Sequence, residues 1–141
     1  PLSCAVANAV LSEMIDRDLM TNAALMGDYL KNKLLELSEK TQIIGDVRGK
    51  GLLLAIELVK NKKTKEIIPP QARAVYRMLE IGIQEGILFY TRKTSGGIYG
   101  EWVMITPALT INQNEVDELI YLLTRTINIL ENELKVNKFL D

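Results

Sequence analysis

The chain has no histidine, a single cysteine (Cys4), one tryptophan and two phenylalanines in 141 residues. The missing histidine excludes a histidine-based catalytic triad and any histidine-ligated metal site. A lone cysteine excludes an internal disulfide, which makes the cytoplasm the expected compartment. An excess of one charge is also missing: Lys plus Arg is 17 and Asp plus Glu is 18. A nucleic-acid or anionic-membrane surface needs a basic excess, so neither partner is expected. No basic segment precedes an apolar one at the start, as a signal peptide requires. The longest aliphatic run, Leu52 to Val59, is interrupted by Glu57 and is too short to span a bilayer. No internal repeat, low-complexity tract, metal-ligand cluster, carboxylate pair or nucleophile–base pair is evident.

What is present is an ordinary globular composition, 48% apolar and 25% charged, in a length that supports one domain with a real core. Residues 3–16, with Ala5, Ala9, Val10 and Ile15 among small residues, predict a closely packed helix. After Asp16-Arg17-Asp18, the spacing of Leu25, Met26, Tyr29, Leu30, Leu34 and Leu37 predicts an amphipathic helix to about Lys40. Strands are expected at 43–48 and 52–59, separated by a glycine corner. The segment "KNKKTKEIIPP" reads as a solvated basic loop. A helix is expected over about 71–85, with Ala72, Val75, Tyr76, Leu79 and Ile83 on one face and Gly86 as its cap. Strands "ILFYT" and "WVMIT" flank the loop "RKTSGGIYGE". A last helix follows, with Asn112 and Glu115 spaced as a capping box. The order α-α-β-β-α-β-β-α predicts an α/β chain of the two-layer α+β kind: a small, largely antiparallel sheet with helices on one face.

Several residues admit a functional and a structural reading. In "RGKG", Arg48 to Gly51, two glycines and a lysine stand before a strand. A phosphate loop would need a helix to follow, so that its N–H groups meet the phosphate. The favoured reading is therefore a corner that uses glycine for positive φ or close backbone approach. The loop ending at Trp102, with its glycines, Tyr99, Arg92 and Lys93, either lines a ligand cleft or is a surface hairpin whose tryptophan packs on the core. Glu57 is either a buried acid or paired with a nearby cation. Cys4 is expected as a small core residue.

The stretches "PLSCAVANAVLSEM", "VRGKGLLLAIELV", "GILFY" and "WVMITPALTINQNEVDELI" resemble, in this order and spacing, the class III aminotransferases. The resemblance covers nearly the whole chain. It implies a fold type I enzyme that uses pyridoxal 5'-phosphate, in which residues 1–141 form the C-terminal small domain and residues 1–40 include helices connecting to a large domain. It further implies that the Schiff-base lysine and most cofactor contacts lie upstream. No catalytic, cofactor-binding or metal residue is then expected in this chain, and the chain alone is expected to be inactive. The opening Pro1 fits that expectation.

The implied activity moves an amino group from an amine or ω-amino acid such as 4-aminobutyrate to a keto acid such as pyruvate or 2-oxoglutarate, within a homodimer. Many members carry an arginine, which pairs with the substrate α-carboxylate, where this chain has Met104. Either the donor lacks that carboxylate, or another cation holds the keto acid, for which Arg92 is the candidate. Arg92, Trp102 and Met104 are thus the expected substrate-binding residues. The alternatives are another fold type I enzyme (a glutamate-1-semialdehyde-type mutase, a racemase or a decarboxylase) and a stand-alone non-catalytic binding domain.

Overall fold

The computed structural model describes residues 1–93 and 100–140, apart from the side chains of residues 92 and 93. Eight elements follow in order: α1 (Leu2–Asp16), α2 (Leu19–Lys40), β1 (Ile44–Lys50), β2 (Leu53–Leu58), α3 (Ala74–Glu85), β3 (Tyr90–Lys93), β4 (Glu101–Ile105) and α4 (Gln113–Val136). The strands form one sheet in the order β1-β2-β4-β3, and every neighbouring pair is antiparallel. This is the expected two-layer architecture.

Strand periodicity divides the sheet into a covered and an open face. Leu54, Ile56 and Leu58 of β2 alternate with less buried neighbours, as do Val103 and Ile105 of β4. These inward residues join Leu30 and Leu34 of α2, Met78 and Ile81 of α3, and Leu123, Ile127 and Leu130 of α4 in one core. In α2 and α4 the buried apolar residues recur every three or four positions, which places them on one helical stripe. The N-terminus of α4 carries the expected capping box: Glu115 N–H donates to the Asn112 side chain at 3.1 Å, and Asn112 N–H donates to the Glu115 carboxylate at 2.9 Å.

Five local expectations fail, each for a physical reason. Helix α1 forms but buries none of its residues, so the close packing expected around Ala5 and Ala9 is not made within this chain, and Cys4 is exposed rather than in the core. Helix α3 starts at Ala74, because a 3₁₀ turn over Pro70–Ala72 ends at Arg73, whose left-handed backbone (φ 49°) breaks the path. Its buried stripe is Ala74, Val75, Met78, Ile81 and Gly82, leaving Tyr76 and Ile83 exposed. That rotation is set at both ends. Val75 N–H donates to the buried Glu101 carboxylate at 3.2 Å, and Gly82 lies so close to Ile87 and Phe89 that a Cβ there would meet them at 2.8–2.9 Å. Strand β3 begins at Tyr90 rather than Ile87, because the Ile87 N–H is spent closing α3 on the Gly82 carbonyl at 2.8 Å.

The lysine-rich segment, finally, is not simply solvated. Lys60 pairs with Glu66 at 3.0 Å, Lys62 donates to the Ser38 carbonyl at the end of α2, and Lys65 donates to the Gly45 carbonyl at 2.5 Å.

Candidate functional site

The open face of the sheet is organised by two cross-strand rows. Arg48, Ala55, Met104 and Tyr90 are successive register partners across all four strands. Asp46, Glu57, Trp102 and Arg92 form the parallel row beside it. Register alone thus brings the three expected substrate residues to one surface: Trp102 and Met104 on β4, and Arg92 opposite Trp102 on β3. The Arg92 side chain lies outside the described residues, as does the loop that follows it.

Between these rows and the glycine corner lies a shallow depression of about 410 Å³, lined by Arg48, Gly49, Lys50, Leu53, Ala55, Trp102 and Met104 among others. Trp102 is half-buried and meets the Tyr90 ring with centroids 6.4 Å apart and planes tilted by 43°. The tryptophan therefore lies on the open face and not in the core, which removes the core-packing part of the surface-hairpin reading. Leu53 and Tyr90 extend the apolar surface, at 61% and 59% exposure. An apolar wall with the Lys50 cation at its margin suits an organic molecule that carries a carboxylate at one end.

Arg48 stands on one side, its charge offset by two carboxylates. Its guanidinium lies 3.0 Å from Asp46 and 3.5 Å from Glu57. Glu57 is consequently a partly buried, paired acid on the open face, the second of its two sequence readings. Glu101, by contrast, faces inward and holds the start of α3, a positioning role that sequence reasoning missed. The signal was there in "EWVMI", where strict alternation puts Glu101 in phase with buried Val103 and Ile105. Arg48 was read only as part of the corner; its contribution to the depression follows from cross-strand pairing, which no local pattern shows.

The glycine corner at the rim has a structural explanation. Gly49 and Gly51 have φ of 128° and 55°. A Cβ on Gly27 of α2 would stand 2.3 Å from the Gly51 carbonyl carbon, so backbone packs directly on backbone here. Lys31 of α2 also donates to the Gly49 carbonyl at 3.3 Å. No helix starts at this corner; β2 follows it.

The described residues do not make a complete site for pyridoxal phosphate. That group needs an amine to hold its aldehyde, a carboxylate facing its ring nitrogen and several donors for its phosphate. In the depression the only lysine is Lys50, the nearby carboxylate Glu57 is held by Arg48, and the corner's backbone is turned to α2. The face has the character of one wall of a cleft. Among the described residues no group of three or more histidine, cysteine, aspartate or glutamate side chains could hold a metal ion. No helix among them is long and apolar enough to cross a membrane.

Comparison with known proteins gives this wall its context. The family model described as aminotransferase class-III matches residues 1–127. An uncharacterized aminotransferase, YodT of Bacillus subtilis, is 36% identical over 138 residues, which cover 96% of this chain and 31% of that protein. A leucine/methionine racemase of Thermococcus litoralis is 34% identical over 132 residues, covering 93% of this chain and 28% of the racemase. The solved structure of an (S)-enantioselective omega-transaminase from Thermomicrobium roseum superposes with a TM-score of 0.81 at 32% identity, over 92% of this chain and 27% of that one. The chain thus spans about 30% of the length of the curated relatives it matches.

Proposed function

Since this chain belongs to the class III aminotransferase family, whose model covers residues 1–127, we propose that it is the substrate-recognising, site-closing small domain of an enzyme that transfers an amino group from an amine or ω-amino acid to a keto acid. The observation that carries this reading is the open sheet face, where Trp102 and Met104 line one depression and Arg92 is the register partner of Trp102. Helices cover the other face, so this one is left for a substrate. The family depends in general on pyridoxal phosphate, which supplies an electron sink when bound. The residues present do not form its site, so the rest of the enzyme must hold it.

The part played by this chain is binding and exclusion of water. Trp102 and Tyr90, two rings tilted against each other, supply an apolar surface for the substrate's carbon chain. Met104 leaves the middle of the wall without a cation, which favours a donor lacking an α-carboxylate at that point. Arg92 is the candidate partner of the keto-acid carboxylate, a pairing that suits a guanidinium. The exposed apolar side chains of α1, among them Val6, Val10 and Ile15, agree with a homodimeric enzyme in which that helix is covered. The cytoplasm is the proposed compartment.

A second reading is favoured by the racemase relative: the same scaffold could invert an amino acid's α-carbon without transferring its amino group. The test is to give the full-length protein 4-aminobutyrate labelled with ¹⁵N at its amine, together with pyruvate or 2-oxoglutarate, and to follow the label into the amino-acid product. Formation of alanine or glutamate supports the transferase. Loss of optical activity from an L-amino acid, with no amination of either keto acid, replaces it with the racemase.

A further inference from the structure

At the other end of β2 the chain forms a second concavity of about 330 Å³, walled by Gln42, Lys60, Asn61, Lys62, Lys63 and Leu140. It shares no lining residue with the depression at Trp102. At about 3.3 Å per extended residue, Leu53 and Lys60 lie about 23 Å apart, so the two concavities are remote. Three lysines line this one, and among the described residues no aspartate or glutamate does.

Its walls are built rather than loose. The loop is closed by a bridge between Asn61 and Glu66, with Lys60 N–H donating to the Glu66 carbonyl at 2.7 Å. The Asn61 side-chain oxygen accepts from Lys63 N–H at 2.9 Å and Thr64 N–H at 3.1 Å, which leaves its NH₂ as a donor. Lys60 is fixed by Glu66. Lys62 caps a terminal carbonyl of α2 at Ser38, which uses one of its three ammonium donors. These contacts give Lys60 and Lys62 structural roles. They do not account for Lys63, which adds a third like charge to the same wall.

We propose that this concavity is a binding site for a small polyanion carrying at least two negative charges, remote from the substrate face. The pinned lysine stems lose little rotamer freedom on binding. A polyanion also offsets the like charges of Lys62 and Lys63, Lys60 being paired with Glu66, and Leu140 offers an apolar floor for a short carbon stem. Burial pulls the Lys62 proton affinity down, and the neighbouring Lys65 adds to this while Glu131 and Glu39 oppose it; a bound anion acts on the same side as those two acids. Phosphate esters and polycarboxylates share this chemistry.

The test is calorimetric titration of the full-length protein with inorganic pyrophosphate and with citrate, at fixed ionic strength. Saturable binding of pyrophosphate alone assigns a phosphate ligand, and of citrate alone a polycarboxylate; either supports the site. Lys63→Glu, an exposed position, should weaken that binding by about tenfold or more, whereas Arg17→Glu at the α1–α2 junction should leave it unchanged. Absence of saturation by both anions, or equal weakening by the two substitutions, overturns the proposal. This inference does not depend on the transferase reading, since its readout is binding and not turnover.

Discussion

Gly27→Ala tests the packing that shapes the rim of the depression. In an ordinary helix interior this exchange stabilises by about 1 kcal/mol, because alanine has the higher helix propensity. Here the added Cβ would lie 2.3 Å from the Gly51 carbonyl carbon, 2.4 Å from its oxygen and 2.5 Å from its Cα. All three are backbone atoms of a corner that joins two paired strands, so no side chain can rotate away. Relief requires α2 and the β1–β2 corner to separate by about 1 Å, which is overpacking that costs about 1–3 kcal/mol. At roughly 4 °C per kcal/mol for a chain of this size, the melting temperature should fall by roughly 4–12 °C. Thermal unfolding followed by circular dichroism measures this, with the neighbouring exposed exchange Asp28→Ala as a control expected within about 2 °C of the parent. A Gly27→Ala protein that melts at or above the parent temperature would refute the direct contact of helix and corner.

Other outcomes follow from the same geometry. Asn112→Ala removes the side-chain half of the α4 capping box and should cost about 1 kcal/mol in chemical denaturation; an unchanged midpoint would mean that this end of α4 is held by packing alone. Stability should also fall in acid. Burial raises the Glu131 carboxyl's proton affinity, but hydrogen bonds from Lys135, Thr41 and the Gln42 N–H outweigh it, so the group is held below its ordinary range. Hydrogen bonds from Arg77 do the same to Glu133. Both groups are lowered in the folded state, so the unfolded chain binds more protons, and their contribution, complete above about pH 5, is lost as pH falls through the folded values. Urea midpoints between about pH 3 and about pH 6 should therefore decline, and less steeply in Glu131→Gln; identical slopes would remove Glu131 as a source. Finally, Arg92→Ala in the full-length protein should raise KM for the keto acid far more than for a simple amine, and equal effects on both substrates would remove Arg92 from carboxylate binding.

Much of this architecture was legible from spacing. The order of the eight elements, the capping box and the need for glycine at the corner all depend on local chemistry, which a single sequence carries. The failures share one cause, namely contacts distant in sequence. The buried stripe of α3 depends on Glu101 at one end and on Phe89 at the other, so intrinsic amphipathicity chose the wrong face. The start of β3 depends on a hydrogen bond that closes α3. Nothing in "PLSCAVANAV" could show that α1 finds no cover within this chain, since small apolar residues suit any close interface. The candidate site behaved likewise. Trp102 and Met104 could be named from resemblance, but their rows with Arg48 and Tyr90 required the register. Arg48 and Glu57, local puzzles in sequence, became a cross-strand pair at the edge of the wall.

In the proposed enzyme Met104 faces substrate from the middle of that wall. The most direct test of this placement is the ratio of kcat/KM for an α-amino acid donor to that for an ω-amine donor, in the full-length protein and in Met104→Arg. The new guanidinium should shift this ratio toward the α-amino acid by about tenfold or more, the effect of one carboxylate pair. An unchanged ratio in an active, folded variant would contradict it and would place the donor's carboxylate elsewhere.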